Sequence, residues 1–383
     1  MKKKYFIIGL GLLFVSSALK AQTLAAPARI GQYGFSQLLI NSWAKSSGMG
    51  NSYSAAVGGV ESFHLNPAGL GKVKKTDVAF SYTSWLGGTG ININSFGLAQ
   101  RVGVTDEKLG GVIALSVTSF SLGQINITTP DQPEGGIGTY KPSISNINLA
   151  YAHNFSERIS AGINVKLASE STPDVRTSAI AFDAGLQFAD QLKSGNKLKF
   201  QNESDNPAAG RGSDIHFGVS IKNLGTGVRY SGDGLATKSN IDGKPFTTTT
   251  SQRSDKVALP SLINIGMAYD FRLDNNNQTY WHRLTPAITF TKNEAMSNQT
   301  AIGAEYAFKE ILMLRAGYNY EKGIFKYETR NNAFTGLNIG TTFQIPLKDK
   351  ENKRIANLGF DYSYRATRPF SGTHSIGLRV TLF

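Results

Sequence analysis

Five histidines, His64, His153, His216, His282 and His374, are the side chains of this 383-residue chain best suited to proton transfer or metal binding. They lie far apart in sequence with no metal-ligand spacing, and no G-x-S-x-G elbow offers an activated serine. A serine, histidine and acid could still meet across neighbouring strands, because such sites follow geometry more than sequence; no particular set stands out. Gly135-Gly136-Ile137-Gly138 has no helix pattern behind it, so it lacks the helix N-terminus that would hold phosphate and reads as an outer loop. Asp274 to Asn277 resembles the opening of a calcium loop but lacks the glycine and closing glutamate, and a hairpin connection explains it better. The chain therefore reads as a non-enzyme, with no catalytic, cofactor-binding or metal-binding residue to nominate.

The elements that would have to position any site are strands. In the last segment, Ile376, Leu378, Val380 and Leu382 share one face while Gly377, Arg379 and Thr381 share the other, since successive strand side chains point oppositely. Segments of this kind recur from residue 76 onward, near 76 to 86, 91 to 101, 110 to 121, 142 to 155, 158 to 169, 178 to 190 and 213 to 223. Seven more follow, near 257 to 272, 282 to 292, 299 to 308, 311 to 321, 334 to 346, 355 to 366 and 372 to 383. In the clearest, Ile159, Ala161, Ile163, Val165 and Leu167 oppose Ser160, Gly162, Asn164 and Lys166. The stretch 91 to 101 needs a bulge to keep phase. About fourteen strands, an even number, closed into a cylinder with an apolar exterior make an all-β, antiparallel transmembrane β-barrel of the outer-membrane kind.

The start of the chain agrees. Lys2, Lys3 and Lys4 precede an apolar run from Tyr5 to Val15 and small residues up to Ala21, the pattern of a secretory signal peptide over residues 1–21. Without the four lysines of this leader, the formal charge falls from +13 to +9, and it is spread over turns and alternating faces, which argues against nucleic-acid binding. The absence of cysteine means no disulfide staples, which a closed barrel does not need.

An even count returns the C-terminus to the side of the first strand. If that side is periplasmic, the tight turns at Ser156 to Arg158 and Lys309 to Glu310 face inward and the long segment 224 to 256 faces outward; 191 to 212 is the exception, long yet on the inner side. Trp85, Tyr280 and Trp281 sit at strand ends, where amphipathic rings suit the membrane interface. Lys166, Asp183, His216, Asp270, Arg272, Glu305, Arg315, Asp361, Arg365 and Arg379 fall on inner faces, in both signs, and imply a filled, ion-paired interior rather than an oily tunnel.

Residues 22–75 show no strand series, and a barrel of this circumference has a lumen wide enough to need filling, so they are expected to fold inside residues 76–383 as a hatch. They hold two small-residue clusters, Gly48, Met49 and Gly50 after two serines, and Asn66, Pro67, Ala68, Gly69 and Leu70. These clusters, then Phe182-Asp183-Ala184-Gly185-Leu186, Ile221-Lys222-Asn223-Leu224-Gly225, Leu259-Pro260-Ser261, Leu314-Arg315-Ala316-Gly317-Tyr318, Asp361-Tyr362-Ser363-Tyr364 and Thr373-His374, appear in an order that resembles the PorV/PorQ family, a branch of the FadL-like outer-membrane barrels. The resemblance covers nearly all of the chain after the leader. It implies fourteen strands with an N-terminal hatch holding the Asn-Pro-Ala motif, in the outer membrane of a Gram-negative bacterium of the Bacteroidetes type. It further implies service in the type IX secretion system, with the translocon and exported proteins carrying C-terminal signal domains as partners, besides outer-membrane lipids. The alternative is FadL-like passive transport of hydrophobic small molecules, against which the mixed inner charges argue.

Overall fold

A computed structural model describes residues 31–103, 110–190, 215–240, 242–243, 246–273, 281–351 and 353–383. Fourteen antiparallel strands form one closed ring: β1 Thr76–Trp85, β2 Ile91–Val102, β3 Gly111–Ser121, β4 Ser143–Asn154, β5 Ile159–Ser171, β6 Arg176–Asp190 and β7 Ile215–Leu224, then β8 Leu262–Tyr269, β9 His282–Asn293, β10 Gln299–Phe308, β11 Leu312–Glu321, β12 Phe334–Lys348, β13 Arg354–Thr367 and β14 Thr373–Leu382. Each pairs with its sequence neighbours, and Phe271–Arg272 prolongs β8 along β9. The ring closes where β1 meets β14, from Thr76 opposite Leu382 to Ser84 opposite His374. Closure leaves no free sheet edge, the condition for strands to cross a bilayer.

The period of two decides which residues meet lipid. Ile163, Val165 and Leu167 on β5, Leu314 on β11, and Ile376, Leu378 and Val380 on β14 all point outward, uncovered by protein, while Asn164, Lys166 and Arg379 point inward and are buried. Such an apolar exterior over a closed ring defines a transmembrane barrel of the outer-membrane type. The longest described loops, 122–142 and 225–261, lie at the end opposite the C-terminus, as parity requires, and 225–261 carries its own hairpin, Ala236–Asn240 with Thr247–Ser251. Gly135-Gly136-Ile137-Gly138 lies in the first of these loops. Segments 191 to 212 and Asp274 to Asn277 fall outside the described residues.

Two expectations need correcting. β2 carries no bulge: its register runs unbroken against both β1 and β3. Ile93 looks out of phase only if every inward position is polar, whereas here it is fully buried against the interior. The register shifts fall instead between β6 and β7 at Phe182/Ala184, and between β12 and β13. Trp85 is not a membrane-interface ring. It follows Ser81 and Thr83 on the inward phase of β1, and it packs edge-on against Phe334 with ring centroids 5.3 Å apart. Trp281 does sit at the rim, with Lys309 Nζ 3.9 Å above its ring, and Tyr280 lies outside the described residues.

Inside the ring runs a compact segment from Phe35 to Val73, built of short helical turns at Ser36–Leu39, Ala44–Ser47, Ser62–Leu65 and Pro67–Lys72. Its backbone touches the wall because the wall has no side chains there. A Cβ on Gly162 of β5 would sit 2.5 Å from Pro67 C, one on Gly218 of β7 would lie 2.7 Å from Ala55 Cα, and one on Gly340 of β12 would lie 2.9 Å from Gly48 Cα. Gly303 of β10 and Gly317 of β11 face Met49 in the same way. Gly162 is paired with Gly185, Gly218 with Gly266, and Gly303 with Gly317, so the gaps form a belt at matching heights.

The lipid-facing assignment is directly testable. Leu149, 57 % exposed in the middle of β4, becomes a buried charge in acyl chain if replaced: Leu149→Arg should cost about 2–4 kcal/mol, measured by urea unfolding in phospholipid vesicles. Asn148→Ala on the inward face should cost less.

Candidate functional site

Asn66 joins the inner segment to the wall. Its backbone is extended, and its side-chain oxygen accepts from Ala68 N–H at 3.1 Å, capping the 3-10 turn Pro67–Lys72 with Pro67 at the first position, where no N–H is needed. Its amide nitrogen donates to Leu186 O of β6 at 3.1 Å and to Val219 O of β7 at 3.3 Å. Gly69 N–H donates back to Asn66 O at 3.0 Å, and Ala68 and Leu70 are fully buried.

The other cluster holds a different arc of wall. Gly48 abuts Gly340, Met49 abuts Gly317, and Gly50 adopts φ +61°, a left-handed backbone that favours glycine, with Asn319 and Asn338 side-chain atoms 2.6 Å from where its Cβ would be. The structure thus does not gather Gly48, Met49 and Gly50 with Asn66, Pro67, Ala68, Gly69 and Leu70 into one site. They are linked through an apolar cluster that includes Met49, Tyr53, Val57 and Leu65. Serine and glutamine bonds add further pins: Ser42 to Ser95 at 2.6 Å, Ser47 to Ser363 at 2.6 Å, Ser54 to Thr289 at 2.8 Å, and Gln187 to Ser54 O at 3.0 Å.

Below and beside this segment the inward charges pair. Arg283 contacts Glu310 at 2.6 Å and Glu305 at 2.7 Å, and Arg315 meets the other oxygen of Glu305 at 2.7 Å. His216 lies 3.1 Å from Asp270, Lys166 2.7 Å from Asp183, and Arg379 3.6 Å from Asp361. Nine of the ten inner-face residues expected from the sequence are buried, Arg272 being partly open. The segment adds two charges: burial, with Arg379 and Arg315 nearby, brings Lys45 down to about 8, and burial together with Asp361 pushes Glu61 up. Arg283 and Glu310 escaped the sequence reading. Arg283 was legible from its phase with Thr285 and Thr289, whereas Glu310 sits in a turn and has no phase to read.

Above the segment, on the side of the long loops, is a cavity of about 250 Å³. Its floor is the segment itself, through Ile40, Asn41, Ser47, Gly50, Asn51, His64 and Leu65; its wall includes Trp85, Lys222, Asn264, Asn319, Glu321, Phe334, Asn338 and Arg365. Burial, with Lys222, Lys166 and Arg365 around it, holds the His64 imidazole well below the usual histidine range.

The closed ring and the apolar exterior define a transmembrane β-barrel of the outer-membrane type, with residues 35–73 folded inside it. No family model and no curated protein matches the sequence. Among solved structures the chain is similar to the toluene transporter TodX of Pseudomonas putida, with a TM-score of 0.49 and 11% identity over 89% of this chain and 97% of that one. It is similar also to a FadL homologue of Pseudomonas aeruginosa (TM-score 0.46, 11% identity, 89% and 97% covered) and to the outer membrane protein Omp33 of Acinetobacter baumannii (TM-score 0.37, 8% identity, 82% and 100% covered).

Replacing Asn66 by alanine removes the cap and both wall bonds, and should lower the unfolding free energy by about 1–3 kcal/mol, read from urea transitions in vesicles. Acidity should act through His64. Neutral in the folded barrel and protonated in the unfolded chain below the ordinary value of 6.5, it makes the unfolded state the one that takes up the extra proton, so stability falls as pH drops below 6.5. Comparing unfolding transitions of the native chain and His64→Gln between pH 7 and pH 5 should show a smaller acid loss in the variant.

Proposed function

We propose that the protein is a non-enzymatic outer-membrane barrel that lets small apolar or amphipathic molecules pass, with residues 22–75 as its hatch behind a leader at 1–21 and residues 76–383 as the barrel. The outer cavity supports this reading. Leu39, Ile40, Leu65, Leu262, Met296, Ile324 and Phe334 give it apolar surface, and its floor is the hatch, so a molecule caught there rests on the part of the lumen that could move aside. The hatch motif Gly48, Met49, Gly50, Asn66, Pro67, Ala68, Gly69 and Leu70 then sets how tightly the floor is held. Passage requires that floor to shift, because the described lumen is filled beneath it.

A second reading, service in the type IX secretion system of a Bacteroidetes-type outer membrane, has its own support. The resemblance of the motif order to the PorV/PorQ family points there. The outer loops add to it, presenting Phe246, Phe325 at 77 % exposure and Tyr327 at 67 % to solvent, where an exported protein or the translocon could dock.

One pair of cysteines separates the two readings. The chain contains no cysteine, and Ser47 Oγ and Ser363 Oγ are 2.6 Å apart across the hatch boundary, so Ser47→Cys with Ser363→Cys can lock floor to wall. Under passage, oxidising the pair in cells should abolish uptake of radiolabelled naphthalene and dithiothreitol should restore it. Uptake unaffected by the lock would defeat the gating reading. Surface delivery of C-terminal-signal proteins that persists with the lock but fails on gene deletion would establish the secretion reading.

A further inference from the structure

Among the described residues, two buried cations of the outer cavity stand without a counter-ion. Arg365 on β13 is 6 % exposed, with its guanidinium carbon 5.1 Å from the Trp85 ring centroid and 5.6 Å from that of Phe334. Its hydrogen bond to Ser375 Oγ is long, at 3.5 Å, and its Nε has no partner among the described residues. Lys222 on β7 is 2 % exposed, and the nearby Asp183 is already held by Lys166 at 2.7 Å. Among the described residues one carboxylate, Glu321, lines the same space, and it accepts from Gln299 at 3.0 Å and from Asn332 at 3.1 Å. Elsewhere in this lumen Arg283 and Arg315 meet carboxylates directly. A cation taken out of water without a partner is strongly disfavoured, so a site that keeps two of them beside a cavity is built for an anion.

The rest of the wall narrows the chemistry. Asn41, Asn264, Asn319 and Asn338 line the cavity; Asn41 bonds to Ser46 and Asn51, Asn264 to Ser220 and Thr291, and Asn338 to Gly336 O, whereas the Asn319 side-chain oxygen has no partner among the described residues. A plain hydrocarbon tail would leave this oxygen unmatched. We propose that the outer cavity binds a small organic carboxylate whose body carries an aromatic ring and an amide or hydroxyl group. The carboxylate sits on Arg365 between Trp85 and Phe334, Lys222 adds positive charge from β7, and the Asn319 side-chain oxygen accepts a hydrogen bond from the polar body. This assignment rests on the small-molecule reading and changes its substrate from apolar to anionic.

Hippurate, N-benzoylglycine, carries these groups, and its amide replaces the carboxylate by a neutral group of nearly the same size. In calorimetric titrations of the full chain in detergent, hippurate should bind at least about tenfold tighter than hippuramide, as a hydrogen-bonded charge pair implies. Arg365→Gln should bring hippurate down to the amide's affinity, and Arg365→Lys should keep most of the preference; heat-modifiable gel migration shows that each variant folds. Equal affinity for the two probes, or a preference that survives in Arg365→Gln combined with Lys222→Gln, overturns the anion site. Octanoate binding as tightly as hippurate overturns the role given to Asn319. Binding of neither probe also overturns the proposal, while the cysteine lock decides the small-molecule reading independently.

Discussion

The contact between two backbones, that of the wall and that of the inner segment, is the constraint on which the rest of this barrel depends. Fourteen strands enclose a lumen too wide for their own side chains to fill. A folded segment fills it only if its chain can lie directly against the strands, and glycine is the residue that permits such an approach. Hence the belt in which Gly162 faces Gly185, Gly218 faces Gly266 and Gly303 faces Gly317. Glycine weakens a strand by giving it nothing to pack, and here the segment supplies the missing packing: Pro67, Ala55 and Met49 occupy the places where wall side chains would stand.

Polar groups brought inside by such a segment have to be satisfied, and two devices do it. On the β5–β7 arc, Asn66 spends one amide on its own turn and two wall carbonyls. On the β8–β14 arc, arginines and carboxylates cancel one another in chains, Arg283 to Glu305 to Arg315, with Thr342 bridging Arg315 to Asp361. Removing one member of such a chain leaves a buried charge uncompensated, which costs several kcal/mol, so the lumen tolerates few single changes. The cancellation stops at the outer cavity, where Arg365 and Lys222 remain.

Most of the barrel was legible in the sequence because lipid outside and a polar interior impose a period of two that survives averaging over a strand. Strand number, order, parity and outward faces all follow from it. What failed were positions where the interior is not simply polar. Ile93 and Trp85 face inward onto the segment and the cavity, so an apolar residue on the inner phase mimicked a bulge in one case and a membrane-interface ring in the other. Reading Trp85 by phase with Ser81 and Thr83, instead of by its place at a strand end, would have set it inside. The glycine belt could not be read at all from one chain, since each member is an ordinary strand glycine until the register aligns it with its partner. The two small-residue clusters were visible as composition, but their separation on different arcs depends on how the segment folds.

That separation bears on how the floor of the cavity could move. On the β1–β4 arc the segment is held by an apolar core, in which Trp43, Val60, Phe63, Leu70 and Val73 pack on Ala79, Ala99, Val112, Ala114, Ala150 and Ala152. On the β12 and β13 arc it is held, among the described residues, by Gly48 against Gly340 and by the hydroxyl pair of Ser47 and Ser363. Apolar burial on the first arc amounts to about 1.5–3 kcal/mol for each large side chain, whereas a neutral hydrogen bond on the second contributes about 0.5–1.5 kcal/mol. The weak attachment is also the one beside the cavity, since Ser47, Gly50 and Asn51 line it. A floor that opens would therefore hinge between the two attachments and free Ser47 and Gly48 from β12 and β13 first, leaving the turn capped by Asn66 in place.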